Sequence, residues 1–108
     1  EITHSIITEG CDIRGSVSNS VLSSSVTVGE GARIDYSILM PGCTVGPGAV
    51  VQYAIIGEGA TIGANAAVGA PPNGKTNILI TTCGPGSAVA NGGVIPAGTM
   101  LYAERRDG

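Results

Sequence analysis

Aliphatic residues along this chain fall into columns when the sequence is folded back on itself every 17 residues. Leu22, Leu39 and Ile56 align, as do Val28, Val45 and Ile62, and Val17, Ile34, Val51 and Val68. Within each stretch the aliphatics are six, six and five residues apart. Self-similarity at a fixed period marks a repeat architecture. The unit reads aliphatic, Gly, any, Gly or Asn, small, any, as in Val28-Gly29-Glu30-Gly31-Ala32-Arg33 and Val45-Gly46-Pro47-Gly48-Ala49-Val50. The small residue stands two positions before the next aliphatic. In an extended segment those two point to one side and the residue between them to the other. The Gly-rich dipeptides turn the corners. Each unit is therefore one side of a triangular coil, and successive coils stack about 4.8 Å apart through parallel hydrogen bonds.

The first coil is shorter, with Ile7 to Leu22 and Ile13 to Val28 each 15 residues apart. After Val68 the register breaks over residues 69–77, which read as a protruding loop. It resumes at Cys83, Val89, Ile95 and Leu101. The expectation is an all-β, single-stranded parallel β-helix forming one domain over residues 1–108, with coils at about 5–68 and 78–102.

Composition narrows the picture. There is no Trp or Phe and there are only three Tyr, so the interior must be built from Ile, Val, Leu, Ala and Cys. Eighteen Gly and six Pro argue against long helices. A net charge of −3 with five Lys and Arg argues against a nucleic-acid surface. No apolar run approaches the roughly 20 residues of a membrane span. The start, Glu1-Ile2-Thr3-His4, carries neither an initiator Met nor a basic-then-apolar leader, and it reads as a piece of a longer cytoplasmic protein.

Several residues invite a chemical reading. Gly69-Ala70-Pro71-Pro72-Asn73-Gly74-Lys75-Thr76 satisfies the phosphate-loop expression G-x-x-x-x-G-K-[ST]. Two prolines remove backbone donors, however, and the following Ile78-Leu79-Ile80-Thr81-Thr82 is β-like rather than helical. A surface loop is expected, with Lys75 as a candidate contact for an anion. Cys11 and Cys43 fall in a small inward slot shared with Val26 and Ala60, and Cys83 falls in an aliphatic slot. Two coils separate Cys11 from Cys43, about 9.6 Å, which is beyond disulfide reach. All three are expected as buried free thiols. His4, the one histidine, cannot make a zinc site alone and is expected to be exposed near the end of the stack. Arg14, Arg33, Arg105 and Arg106 form no cluster within one coil.

Certain segments resemble a known family. Glu9-Gly10-Cys11-Asp12-Ile13-Arg14-Gly15-Ser16-Val17-Ser18-Asn19-Ser20-Val21-Leu22, Tyr36-Ser37-Ile38-Leu39-Met40-Pro41-Gly42 and Tyr53-Ala54-Ile55-Ile56-Gly57-Glu58 are similar to the C-terminal domain of glucose-1-phosphate adenylyltransferase (ADP-glucose pyrophosphorylase) or its regulatory paralogue. The hexads themselves resemble hexapeptide-repeat proteins, and the resemblance implies left-handed coiling. It also implies a segment that is itself non-catalytic, binds no cofactor or metal, and serves assembly and allosteric regulation. The implied parent enzyme makes ADP-glucose and diphosphate from ATP and glucose 1-phosphate for glycogen synthesis. Its nucleotidyltransferase domain, where Mg is expected, is absent from this chain. The alternatives are a hexapeptide-repeat acyltransferase, or another sugar-1-phosphate nucleotidyltransferase.

Strand alternation turns Ile6, Val21, Ile38 and Ile55 outward, one per coil, while Asp12, Thr27, Thr44 and Thr61 form a polar row on another side. An exposed aliphatic row of this size is expected to be an interface, either with the parent's own N-terminal catalytic domain or with a neighbouring subunit.

Overall fold

In the computed structural model, which describes residues 2–71 and 79–101, seventeen short strands run β1 to β17 in chain order and every pairing is parallel. They form three sheets. The first holds β1 (Ile2–Thr3), β4 (Ser16–Ser18), β7 (Arg33–Asp35), β10 (Val50–Gln52), β13 (Ala67–Val68) and β16 (Val94–Ile95). The second holds β2 (Ile6–Ile7), β5 (Val21–Leu22), β8 (Ile38–Leu39), β11 (Ala54–Ile56), β14 (Thr81–Cys83) and β17 (Met100–Leu101). The third holds β3 (Asp12–Ile13), β6 (Thr27–Val28), β9 (Thr44–Val45), β12 (Thr61–Ile62) and β15 (Ala88–Val89). Each strand pairs with the one three places on, so the chain winds through all three sheets once per coil. This is the β-helix that the hexads predict.

The columns read from sequence are the pairing register. Leu22 faces Leu39, Leu39 faces Ile56, and Ile56 faces Cys83 across successive strands of the second sheet. The short first coil is in register too, with Ile7 beside Leu22 and Ile13 beside Val28. Val17, Leu22, Val28, Leu39, Val51, Ile56 and Val68 are fully buried in one continuous core. A second set of inward columns is small: Ala32, Ala49 and Ala66 alternate with the aliphatics, so three sheets can meet around a narrow axis.

Glycine after the aliphatic has a specific reason. A Cβ at Gly46 would lie 2.6 Å from the Ala64 nitrogen in the next coil, closer than any side chain can approach backbone. Alanine there would pry two coils apart.

Among the described residues six non-glycine residues hold left-handed backbone, and four of them occupy the same corner of successive coils. They are His4, Asn19, Tyr36 and Tyr53, with φ of 48, 53, 51 and 50°. Beside this corner the inward residue is Ser5, Ser20 or Ser37. Each hydroxyl donates to the carbonyl two residues back, at 2.8, 2.8 and 2.9 Å respectively. Each also accepts the backbone N–H of the coil above, from Ser20, Ser37 and Ala54 at 3.1, 3.0 and 3.3 Å. The turn into left-handed backbone takes these N–H groups out of the ordinary ladder, and the hydroxyls replace the lost acceptors. Thr81 repeats the device higher in the stack, donating to the Pro96 carbonyl and accepting from Gly98 N–H. Among the described residues no buried side-chain polar atom lacks a partner.

The Ser20→Ala variant is expected to lose about 1–3 kcal/mol of stability in urea denaturation, because the buried Ser37 N–H loses its acceptor. Ser16→Ala, at an exposed position of the same coil, should stay within about 0.5 kcal/mol of the wild type. Equal costs at the two positions would exclude the hydroxyl ladder as the cause.

Candidate functional site

The three outer faces differ chemically. On the first sheet Ser16 and Ser18 are followed by Arg33 and Asp35 and then by Val50 and Gln52. Here Ser18 Oγ donates to Asp35 at 2.9 Å, at the edge of a shallow polar hollow of about 240 Å³ that Thr3 and Arg33 also line. The third sheet presents Asp12, Thr27, Thr44 and Thr61, capped by an exposed Arg14–Asp12 ion pair of 3.3 Å. Solvent screening leaves such a pair worth little.

The second sheet carries no charge on its described outer face. Ile6, Val21, Ile38 and Ile55 lie side by side on adjacent strands and are 65, 37, 41 and 38% exposed. Thr82 and Met100 extend the row. At one edge stands the left-handed corner, where Tyr36 and Tyr53 stack with ring centroids 4.9 Å apart and planes 14° from parallel. Partial loss of solvent, followed by the charges of Tyr36 and Asp35, pushes the Tyr53 hydroxyl up from its ordinary pKa. Between corner and row runs an apolar groove of about 360 Å³, walled by Asn19, Tyr36 and Tyr53 on one side and Val21 and Ile38 on the other, with Ile80 at one end. Ser37 forms its floor.

The tyrosine pair and the serine ladder are features that sequence reasoning missed. Both were signalled by the 17-residue period, since Tyr36 and Tyr53 share one column and Ser20 and Ser37 another. Nothing in the hexad rule, which describes sides rather than corners, draws attention to them.

Lys75, Arg105 and Arg106 lie outside the described residues, as does most of the phosphate-loop-like stretch. His4 is exposed at the corner of the first coil. No group of three His, Cys, Asp or Glu residues is placed to hold a metal among the described residues.

The cysteines need one correction. Cys43 and Cys83 are fully buried free thiols, but Cys11 is only half-buried. It sits in the first coil, and in the described structure no further coil covers it. Its Sγ contacts the Ser23 carbonyl at 3.1 Å, and the Cys43 Sγ contacts the Gly57 carbonyl at 2.9 Å. Burial pushes both the Cys43 and the Cys83 thiols above their ordinary pKa.

This geometry can be set beside known proteins. A family profile described as GlmU-like, C-terminal hexapeptide, matches residues 1–84. The chain belongs to that family. Its fold is therefore the left-handed form of the β-helix.

Among solved structures this hexapeptide domain is similar to the acetyltransferase domain of PglB from Neisseria gonorrhoeae FA1090. The identity is 26% and the TM-score 0.70, over 94% of this chain and 50% of that one. The same PglB domain in complex with acetyl coenzyme A gives 26% identity and a TM-score of 0.67, over 94% and 51% of the two chains. The hexapeptide domain thus spans about half the length of those structures. The CcmM N-terminal domain in complex with CcmN shares the fold, at 21% identity and a TM-score of 0.51, over 99% and 87%. A comparison with curated proteins gives no match. No helix among the described residues is long and apolar enough to cross a membrane.

Two outcomes follow from the thiols. In the folded protein a thiol reagent should label Cys11 readily and Cys43 and Cys83 only on unfolding, as mass spectrometry of the labelled peptides will show. Their raised pKa values also set a pH dependence. The stabilisation from keeping these thiols neutral is complete below the unfolded cysteine pKa, near 9.0, and is lost as pH rises through the higher folded values. Thermal melts should therefore fall as pH rises above about 9.0. In Cys43→Ala with Cys83→Val, that fall should be shallower.

Proposed function

We propose that this hexapeptide domain is the assembly and regulatory module of a cytoplasmic transferase, with the uncharged second face as its contact surface. Interface residues Ile6, Val21, Ile38 and Ile55 would meet the parent's catalytic domain or a neighbouring subunit. The observation that carries this reading is the distribution of exposed large hydrophobics. Eleven are found among the described residues, and Ile6, Val21, Tyr36, Ile38, Met40, Ile55, Ile80 and Met100 all lie on this face or its bounding corners. Scattered exposed aliphatics need no explanation, whereas a contiguous uncharged set does.

For the parent's chemistry, the comparisons favour acyl transfer. Both PglB structures are acetyltransferase domains, similar over nearly the whole of this chain. The second reading is glucose-1-phosphate adenylyltransferase, supported by the segments from Val17 to Leu22 and from Ile38 to Gly42. There the catalytic domain and its Mg do the chemistry, and Lys75 is a candidate contact for an anionic effector.

Two measurements on the full-length protein test these readings. Release of coenzyme A from acetyl coenzyme A supports acyl transfer, and release of diphosphate from ATP and glucose 1-phosphate supports the adenylyltransferase. Ile38→Lys with Ile55→Lys should weaken assembly of the full-length protein while its circular dichroism spectrum stays unchanged. Unchanged oligomer size would sink the docking role.

A further inference from the structure

The corner that follows Val89 differs from those stacked beneath it. Val28, Val45, Ile62 and Val89 pair in register, so the residues two places on, Glu30, Pro47, Ala64 and Asn91, form one corner column. Only Asn91 is an asparagine, and a glycine follows it. Asn91 and Gly92 are both exposed. Among the described residues β15, β16 and β17 end their sheets, so this corner belongs to an outermost coil.

Asparagine followed by glycine is a step prone to losing its side-chain amide, because glycine has no Cβ to shield the backbone nitrogen. The Gly92 nitrogen gives up its proton and attacks Asn91 Cγ. A C–N bond forms, the Cγ–Nδ2 bond breaks, and Nδ2 departs as ammonia with that proton. Water then opens the cyclic imide at one carbonyl or the other, leaving aspartate or isoaspartate. No oxidant or reductant is needed.

Both reacting groups are tied to one residue of the coil below. Gly92 N–H donates to the Ala64 carbonyl at 2.8 Å, and Asn91 Oδ1 accepts the Ala64 N–H at 2.9 Å. The first bond keeps the proton that has to leave, and the second fixes the side-chain amide against the neighbouring coil. Both let go together when the outermost coil lifts, and the end of a repeat stack is where opening costs least. The corner has no slack for a longer main chain. A Cβ at Gly63 would lie 2.5 Å from the Asn91 nitrogen and 2.6 Å from its Oδ1. Isoaspartate inserts a methylene into the backbone at this point, so it cannot restack, whereas aspartate keeps the length and can still accept the Ala64 N–H.

We propose that Asn91 is a deamidation site gated by the outermost coil. It is closed while Asn91 and Gly92 both hold Ala64, and it reacts only when residues 88–101 unstack. The isoaspartate form then records that the coil has opened.

Peptide mapping of the aged 108-residue chain by mass spectrometry, at mildly alkaline pH, tests the gate. The Asn91-Gly92 peptide is resolved from Asn73-Gly74, which lies outside the described residues. In the folded protein Asn91 should convert at least about tenfold more slowly than in the urea-unfolded chain, since only the opened fraction reacts. Val89→Ala removes buried volume from the outermost coil and should raise the folded rate at least about threefold. The milder Ile95→Val, in the same coil, should raise it too and serves if Val89→Ala does not fold. Ile7→Ala, in the first coil at the other end of the stack, should leave it unchanged. Hydrogen exchange at the Gly92 amide should rise in step with deamidation across these variants, which surface exposure of Asn91 alone would not produce. A folded chain that converts as fast as the chain in urea, or a rate indifferent to both outer-coil variants, would overturn the proposal. So would an equal acceleration by Ile7→Ala, or an isoaspartate form whose Gly92 amide stays protected.

Discussion

Parallel hydrogen bonding between coils is the constraint from which the rest follows. Each strand of a sheet pairs with the strand one coil away, in register, so a residue is always stacked on the residue one period earlier. Like must therefore tolerate like. Leu22, Leu39 and Ile56 pack on one another inside, while Thr27, Thr44 and Thr61 do so outside. The aliphatic columns then need small columns between them to meet around a narrow axis, which is why Ala49 and Ala66 are as buried as Val51 and Val68. Gly46 belongs to the same constraint, because at that corner the next coil passes too close for a Cβ.

Stacking also amplifies any outward feature. One exposed isoleucine on a strand is unremarkable, but the register turns it into a row that runs the height of the second sheet. The same multiplication makes a polar row on the third sheet and a mixed, charged surface on the first. A coil stack thus acquires faces of different chemistry from choices repeated once per coil. Function in this hexapeptide domain is best sought in those faces, since two of its three thiols serve as core filler.

Corners carry the strain that the sides avoid. At His4, Asn19, Tyr36 and Tyr53 the backbone turns left-handed, and the N–H groups that follow Asn19, Tyr36 and Tyr53 are satisfied by the Ser5, Ser20 and Ser37 hydroxyls rather than by carbonyls. This polar ladder inside an aliphatic core is stable because every hydroxyl both donates and accepts. It ties the corner's position to the coil above, and so holds the tyrosine rings at the edge of the apolar face.

The sequence by itself determined the coil period, the inward columns and the alternation that turns Ile38 and Ile55 outward. All three follow from local spacing, and a strand's two-residue period leaves no other assignment. The hexapeptide-repeat character belongs with them, whereas the finer resemblance to glucose-1-phosphate adenylyltransferase is not what the family profile and the similar structures return. Other features needed three dimensions. Cys11 obeys the same slot rule as Cys43, yet it is half-exposed, and spacing alone does not tell which slots are covered. Tyr36 and Tyr53 are two residues among many until the register brings their rings to 4.9 Å. The continuation of the outward row through Thr82 and Met100 emerged only when strands 18 to 27 residues apart in the chain were set side by side. Burial, stacking and surface continuity depend on which coils are neighbours, and the tertiary structure alone decides that.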